Sequence, residues 1–287
     1  MTSSRRFGHP FAVPPLLAMM LFAMPAAADD NMIATTIEPA SSDAEVGATL
    51  PPEAPAPRYP RAVIARPLTL PAGLLAIGAD AGANHDFSAM TGAPIAGYGI
   101  TDKLEVQVPY AFATHDFEAR GTIAADLGYV IVRGAVDGKL EAIARVRTGY
   151  DTLASDPLPL SLGVHVQYNI TPTVALISGA PGTQPLRFAL AKTAADTRPI
   201  DISLPFGIGV QPAPTFYLQL DTKLAQLSLH DSDTVLIGRD VAPFSLTAVW
   251  NAIPALDLQA AVGTDLMNAP GDALTFLIGA RYYAGEL

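Results

Sequence analysis

Charged residues in this chain recur at every second position of otherwise apolar runs. Lys103, Glu105 and Gln107 alternate with Leu104, Val106 and Val108, and Glu141, Arg145 and Arg147 share a parity opposite Leu140, Ala142, Ala144, Val146 and Tyr150. Alternate side chains of a strand point to opposite faces, so each run has one charged and one apolar side. Over the whole chain the polar parity carries Lys103, Lys139, Arg145, Arg147, Lys223 and Arg281 against Asp80, Glu105, Asp126, Glu141, Asp201, Asp221, Asp257 and Asp265. Two kinds of chemistry suit such a set. Charges of both signs along a wet passage filter solutes, whereas charges of both signs in a narrow space pair across strands and stabilise it. Six cations against eight acids imply no strong ion preference.

Other reactive residue types form no catalytic pattern. His165 shares its parity with Ser161, but strand positions four apart stand about 13 Å from each other, too far for a nucleophile and its base. No G-x-S-x-G stretch is present. Three histidines precede aspartates, at His85-Asp86, His115-Asp116 and His230-Asp231. Imidazole and carboxylate can bind a divalent metal or sense pH; polar loops in an Asp-rich chain produce the same pairs, and that is the reading adopted. The glycines fall inside strand-like runs, where they suit bends and close packing, not nucleotide binding. We therefore expect no catalytic, cofactor or metal residues.

Composition narrows the class. The 287 residues carry 17 Lys and Arg against 27 Asp and Glu, a net charge of −10; half are hydrophobic and none is cysteine. Disulfide frameworks and cysteine-built metal or redox sites are excluded. No apolar run reaches the roughly 18 residues a membrane helix needs. The apolar fraction is too high for disorder throughout, and so acidic a chain without a basic run is a poor partner for nucleic acid.

The N-terminus reads as a secretory signal, residues 1–28: Arg5 and Arg6, an apolar stretch from Phe11 to Met24, then Ala26-Ala27-Ala28 before Asp29. Residues 29–71 are rich in Pro and Ala, a composition that favours a flexible, extended leader. Its residues from Arg58 to Leu70 can rest against the folded part. Residues 72–287 hold the alternating pattern. About twelve strands are expected, at 73–83, 93–100, 103–112, 122–133, 139–150, 159–169, 173–178, 201–210, 215–227, 242–250, 256–266 and 273–283, with ten or fourteen as the alternative counts. Short turns at Ile100-Thr101-Asp102, Val136-Asp137-Gly138, Asn169-Ile170-Thr171-Pro172, Gln211-Pro212-Ala213-Pro214 and Asn251-Ala252-Ile253-Pro254 alternate with longer polar connections.

A soluble sandwich and a membrane barrel share this local alternation. Strand length, the regular exchange of short turns and long loops, an even count and an export signal favour a closed antiparallel transmembrane β-barrel of about twelve strands, in an all-β fold. Tyr98, Tyr110, Phe112, Tyr129, Tyr150, Tyr168, Phe216, Trp250 and Tyr282 lie mostly on the apolar parity near strand ends, as interfacial girdles do. In such a barrel the lumen-lining set is Asp80, Lys103, Glu105, Asp126, Glu141, Arg145, Arg147, His165, Asp221, Lys223, Asp257 and Arg281. Arginine facing lipid is costly, so Arg145 and Arg147 are expected to face inward.

The stretch Gly97-Tyr98-Gly99-Ile100-Thr101-Asp102-Lys103-Leu104-Glu105-Val106-Gln107-Val108-Pro109-Tyr110, echoed by Asn169-Ile170-Thr171-Pro172 and Ala252-Ile253-Pro254-Ala255-Leu256-Asp257-Leu258, resembles bacterial outer-membrane barrels of the MetA-pathway (phenol degradation) type. The resemblance covers about a sixth of the chain. It implies a Gram-negative outer-membrane barrel of about twelve strands and a passive channel or transporter for small solutes, with no catalytic residues. The partners expected are outer-membrane lipid, small solutes and the barrel-assembly machinery. A non-conducting barrel that displays its loops, and a soluble periplasmic ligand-binding β-protein, are the alternatives.

Overall fold

The computed structural model describes residues 59–115, 118–152, 155–179, 186–188, 200–229, 234–235, 243–266, 271 and 273–285. The expected signal peptide and the leader up to residue 58 lie outside the described residues. So does most of two long connections, 180–199 and 230–242.

Twelve antiparallel strands follow one another around a closed sheet: β1 Leu75–Asn84, β2 Met90–Thr101, β3 Leu104–His115, β4 Glu118–Ala135, β5 Leu140–Asp151, β6 Leu160–Thr171, β7 Val174–Ser178, β8 Ile200–Ala213, β9 Phe216–Leu229, β10 Pro243–Ile253, β11 Leu256–Asp265 and β12 Thr275–Ala284. Each pairs with the next, and β1 pairs with β12 from Leu75 opposite Ala284 to Asn84 opposite Thr275. The short segment Leu186–Phe188 continues the place of β7, because it too bonds β6 and β8. Sequence reading saw only a connection there. Gly179, at φ 68°, breaks β7 just after Ser178, and Pro181, Gly182 and Pro185 interrupt the alternation before Leu186. Two-residue strands Asp156–Pro157 and Thr234–Val235 add to β5 and β9 at the long-loop rim.

The five short turns gather on one rim. Three of them open on proline, at Pro172, Pro214 and Pro254, whose fixed φ presets the first turn position. Strand β1 begins at this rim and β12 ends at it. Closure matters because no water is available in hydrocarbon to satisfy an open sheet edge.

Burial is inverted relative to a soluble protein. Ile77, Leu127, Tyr129, Ile131, Leu204 and Tyr282 are exposed on the outside, while Glu105, Asp126, Arg145, Asn251 and Asp257 are buried within. Glu105 is 1% exposed and Tyr129 52%. That contrast excludes a sandwich, whose apolar faces meet each other. It fits a barrel with lipid outside and polar groups inside.

The outward aromatics form a belt at the turn rim. Tyr98 stands opposite Leu75, Tyr129 opposite Leu104, Tyr168 opposite Leu140, Phe216 opposite Trp250 and Tyr282 opposite Leu256. Tyr110, Phe112 and Tyr150 stand further toward the loop rim. Trp250 is the sole tryptophan of the chain and points outward. Its fluorescence is predicted to be quenched by lipids carrying bromine on their acyl chains and largely spared by aqueous iodide. The opposite pattern would place this face in water.

Candidate functional site

The lumen is not empty at the turn rim. Residues 59–74 enter it and cross it before β1 begins. Pro60, Pro67 and Pro71 deny this segment regular structure, and it makes one 3-10 turn, Val63–Ala65. Backbone groups in a buried irregular segment need partners, and the barrel wall supplies them from amide side chains. Gln211 on β8 accepts a hydrogen bond from the Ile64 amide at 3.2 Å. Gln167 on β6, itself held by Asn169, donates to the Ile64 carbonyl at 2.8 Å. Asn251 on β10 accepts from Arg61 Nε at 2.7 Å. Asn169, Gln211 and Asn251 occupy equivalent places, each next to a register shift just before a short turn. Sequence reading quoted all three as turn residues and missed this ring of amides.

Two buried carboxylates anchor the rest of the segment. Asp257 on β11 takes both terminal nitrogens of Arg66, with Nη2 at 2.9 Å from Oδ1. It also accepts from Tyr283 Oη and Asn251 Nδ2, each at 2.9 Å. Arg66 lies against the rings of Tyr59 and Tyr283, 4.8 and 5.4 Å from their centroids. Burial works most strongly against the Arg66 charge, but the Asp257 hydrogen bond and the electrostatic attraction of Tyr59, Asp257 and Tyr283 together outweigh it and hold the guanidinium above its ordinary range. Burial pushes the Tyr59 phenol up. Glu105 on β3 accepts from the Leu70 amide at 2.9 Å and pairs with Arg145. Arg145 also donates to Asp126 at 2.8 Å.

The Glu105–Arg145 pair spans a strand. Gly128 on β4 lies between the two in register, and a Cβ there would stand 3.0 Å from Glu105 Oε1. Gly99 on β2 does comparable work for the segment, since a Cβ there would fall 1.8 Å from the Pro71 carbonyl oxygen. Apolar contacts complete the seat. Ile64 packs with Ala175, Ile177 and Tyr217, and Leu70 and Leu74 pack with Tyr283. A cavity of about 100 Å³ remains between the segment and the wall, lined in part by Gln107, Ile95 and Arg281.

The expected lumen residues divide by height. Glu105, Asp126, Arg145 and Asp257 cluster with the segment near the turn rim. Glu141 pairs with Arg133, which also donates to Thr69 at 2.9 Å. Further toward the loops, Asp80 accepts from Arg281 at 2.8 Å and Gln259 at 2.6 Å, and Asp221 accepts from Gln219 at 2.9 Å. Arg147 faces inward in register with Asp126 and Ser161. Lys223 stands on β9 opposite Pro205. His165 faces inward and is buried, with Nδ1 unpartnered among the described residues.

Lys103 is a correction, as is Lys139. Both lie exposed in short turns, Lys103 between β2 and β3 and Lys139 between β4 and β5. The alternation carried past the strand ends, and turn geometry redirects them. Of the His–Asp pairs, His85-Asp86 sits in the β1–β2 loop, where the Ser88 amide donates to Asp86 and holds its carboxyl below the usual range. Asp116 and the His230-Asp231 pair lie outside the described residues.

Arg145→Met should strand Glu105 and Asp126 without their cation and cost about 3–5 kcal/mol of stability, as loss of one partner from a buried pair does. Adding Glu105→Gln and Asp126→Asn should restore most of it. Urea unfolding in lipid vesicles measures both, and a single variant as stable as the parent would contradict the pairing.

No protein-family model matches the chain, and no curated protein matches it. Among solved structures it is similar to the NanC porin, at 8% identity over 72% of this chain and 98% of that one, with a TM-score of 0.53. It is likewise similar to the KdgM porin, at 8% identity over the same shares, with a TM-score of 0.50. A structure of the KdgM porin in complex with disordered oligogalacturonate has a TM-score of 0.51, again at 8% identity and 72% and 98% coverage. The likeness is one of fold: a closed twelve-strand antiparallel β-barrel.

Proposed function

We propose that the chain is an outer-membrane channel that passes small solutes, and that its structure holds the channel with residues 59–72 closing the turn rim. One observation carries this reading. The wall is apolar outside and polar inside, while the obstruction at the turn rim is a separate segment seated on that wall by side-chain contacts. A strand cannot leave a barrel without breaking its ladder; this segment can leave with the ladder intact. The reading assigns the chain no bond-making chemistry. The finer likeness to the MetA-pathway type rests on Gly97–Tyr110, and in the structure Gly97, Gly99, Asp102 and Glu105 of that stretch all meet the segment. Insertion through the barrel-assembly machinery belongs to the same proposal.

A plugged structural barrel is the second reading. It is favoured by inward side chains that fill space, Ile143 and Ala175 being fully buried. Single-channel recording in planar bilayers decides between the two. The mature chain is predicted to show long closures and infrequent openings. Gly99→Leu, which denies Pro71 its place, should raise the open fraction at unchanged unit conductance. Arg147→Leu should alter the unit conductance itself. Silent bilayers from all three proteins, each shown to be folded by heat-modifiable migration, would favour the plugged barrel.

A further inference from the structure

Arg66 sits where a ligand would sit. Its guanidinium meets both oxygens of Asp257 and lies beside two tyrosine rings. Yet Arg66 is not part of the wall. The wall groups that receive it, Asp257 and Tyr283, belong to β11 and β12, and Asn251, which holds Asp257, belongs to the neighbouring β10. Tyr283 Oη and Asn251 Nδ2 also donate to the Asp257 carboxylate, so two of the groups that hold this carboxylate come from the wall and not from the segment. We propose that this recess is a binding subsite for solutes bearing a guanidinium group, with Arg66 as an intramolecular stand-in that such a solute displaces. The proposal deepens the channel reading and rests on it for the solute's purpose.

The chemistry selects the ligand class. A buried carboxylate demands a cation. The two-oxygen contact suits a planar guanidinium, which donates a fork of N–H groups and stacks on aromatic faces; an ammonium is a point charge without that fork. One other cation is placed to compete. Arg281 stands directly across from Asp257 in register, but its guanidinium turns to Asp80 on β1. When Arg66 leaves, Tyr59 and Arg61 leave with it, and Asp257, Asn251 and Tyr283 remain. Solute binding and seating of the segment exclude each other, so a solute that binds the recess must shift the segment outward.

The test uses the absence of native cysteine. Ile64→Cys places a thiol in the seat formed by Ala175, Ile177 and Tyr217, where a water-soluble maleimide reaches it only after the segment moves. In the mature chain in lipid vesicles, argininamide at ten times its dissociation constant should raise the labelling rate about tenfold. Citrullinamide, which carries a neutral urea in place of the guanidinium, should leave it near the basal value. Arg66→Leu leaves Asp257 uncovered and keeps the wall, and calorimetry should find argininamide bound more tightly to it than to the parent. No change in labelling with argininamide, together with no heat from the Arg66→Leu protein, would overturn the proposal. Labelling that responds to argininamide in a protein silent in bilayers would leave the subsite standing and remove the channel. A conducting protein whose labelling ignores argininamide would do the reverse.

Discussion

A carboxylate inside a barrel that stands in lipid needs a cation within reach, because leaving it charged and alone costs several kcal/mol. Glu105, Asp126 and Asp257 face that constraint near the turn rim of this lumen, and all three are almost fully buried. Arg145 reaches from β5 to serve the first two. The wall turns its other nearby arginine, Arg281, to Asp80. Asp257 is served instead by Arg66, from a segment that precedes the first strand. The segment's place in the lumen follows from that pairing, and the amides of Asn169, Gln211 and Asn251 and the space left by Gly99 accommodate the backbone around it.

The barrel itself depends on the same economy of space. Many side chains on the inward parity are charged or amide-bearing, and pairs of them meet across strands where the strand between them has glycine. Glu105 meets Arg145 across Gly128, and Asp80 meets Gln259 across Gly279. Lumenal glycines thus let second-neighbour strands pair their polar groups. The outward parity has no such requirement, and its Ile, Leu, Val and Tyr side chains face lipid.

Much of this was legible in the sequence. Alternation at Lys103–Val108 and Leu140–Tyr150 marks strands because period two is imposed by the pleat, and the short turns with their prolines divided the chain at the right places. Arg145 could be placed inward because arginine facing lipid is costly. What was not legible is non-local. Nothing in the Pro-rich composition of residues 59–71 says that Arg66 meets Asp257, 191 residues away. Nor does Asn251 announce a partner, because an amide before a turn is ordinary turn chemistry. Gly97 and Gly99 were visible as part of a motif, but their purpose needed the Leu70 side chain beside the first and the Pro71 carbonyl beside the second. Lys103 was misplaced for the converse reason: a local pattern was extended into a turn where the parity rule no longer applies.

The account turns on residues 59–72 lying inside the lumen at the turn rim. The most direct measurement is a distance between two nitroxide labels in lipid vesicles, one replacing Ala62 in the segment and one replacing Thr173 in the β6–β7 turn. A short, narrow distance distribution is predicted, and it should broaden and lengthen when Arg66→Ala is added. A broad, long distribution in the otherwise unaltered protein would contradict the account, since it would place the segment outside the barrel from the start.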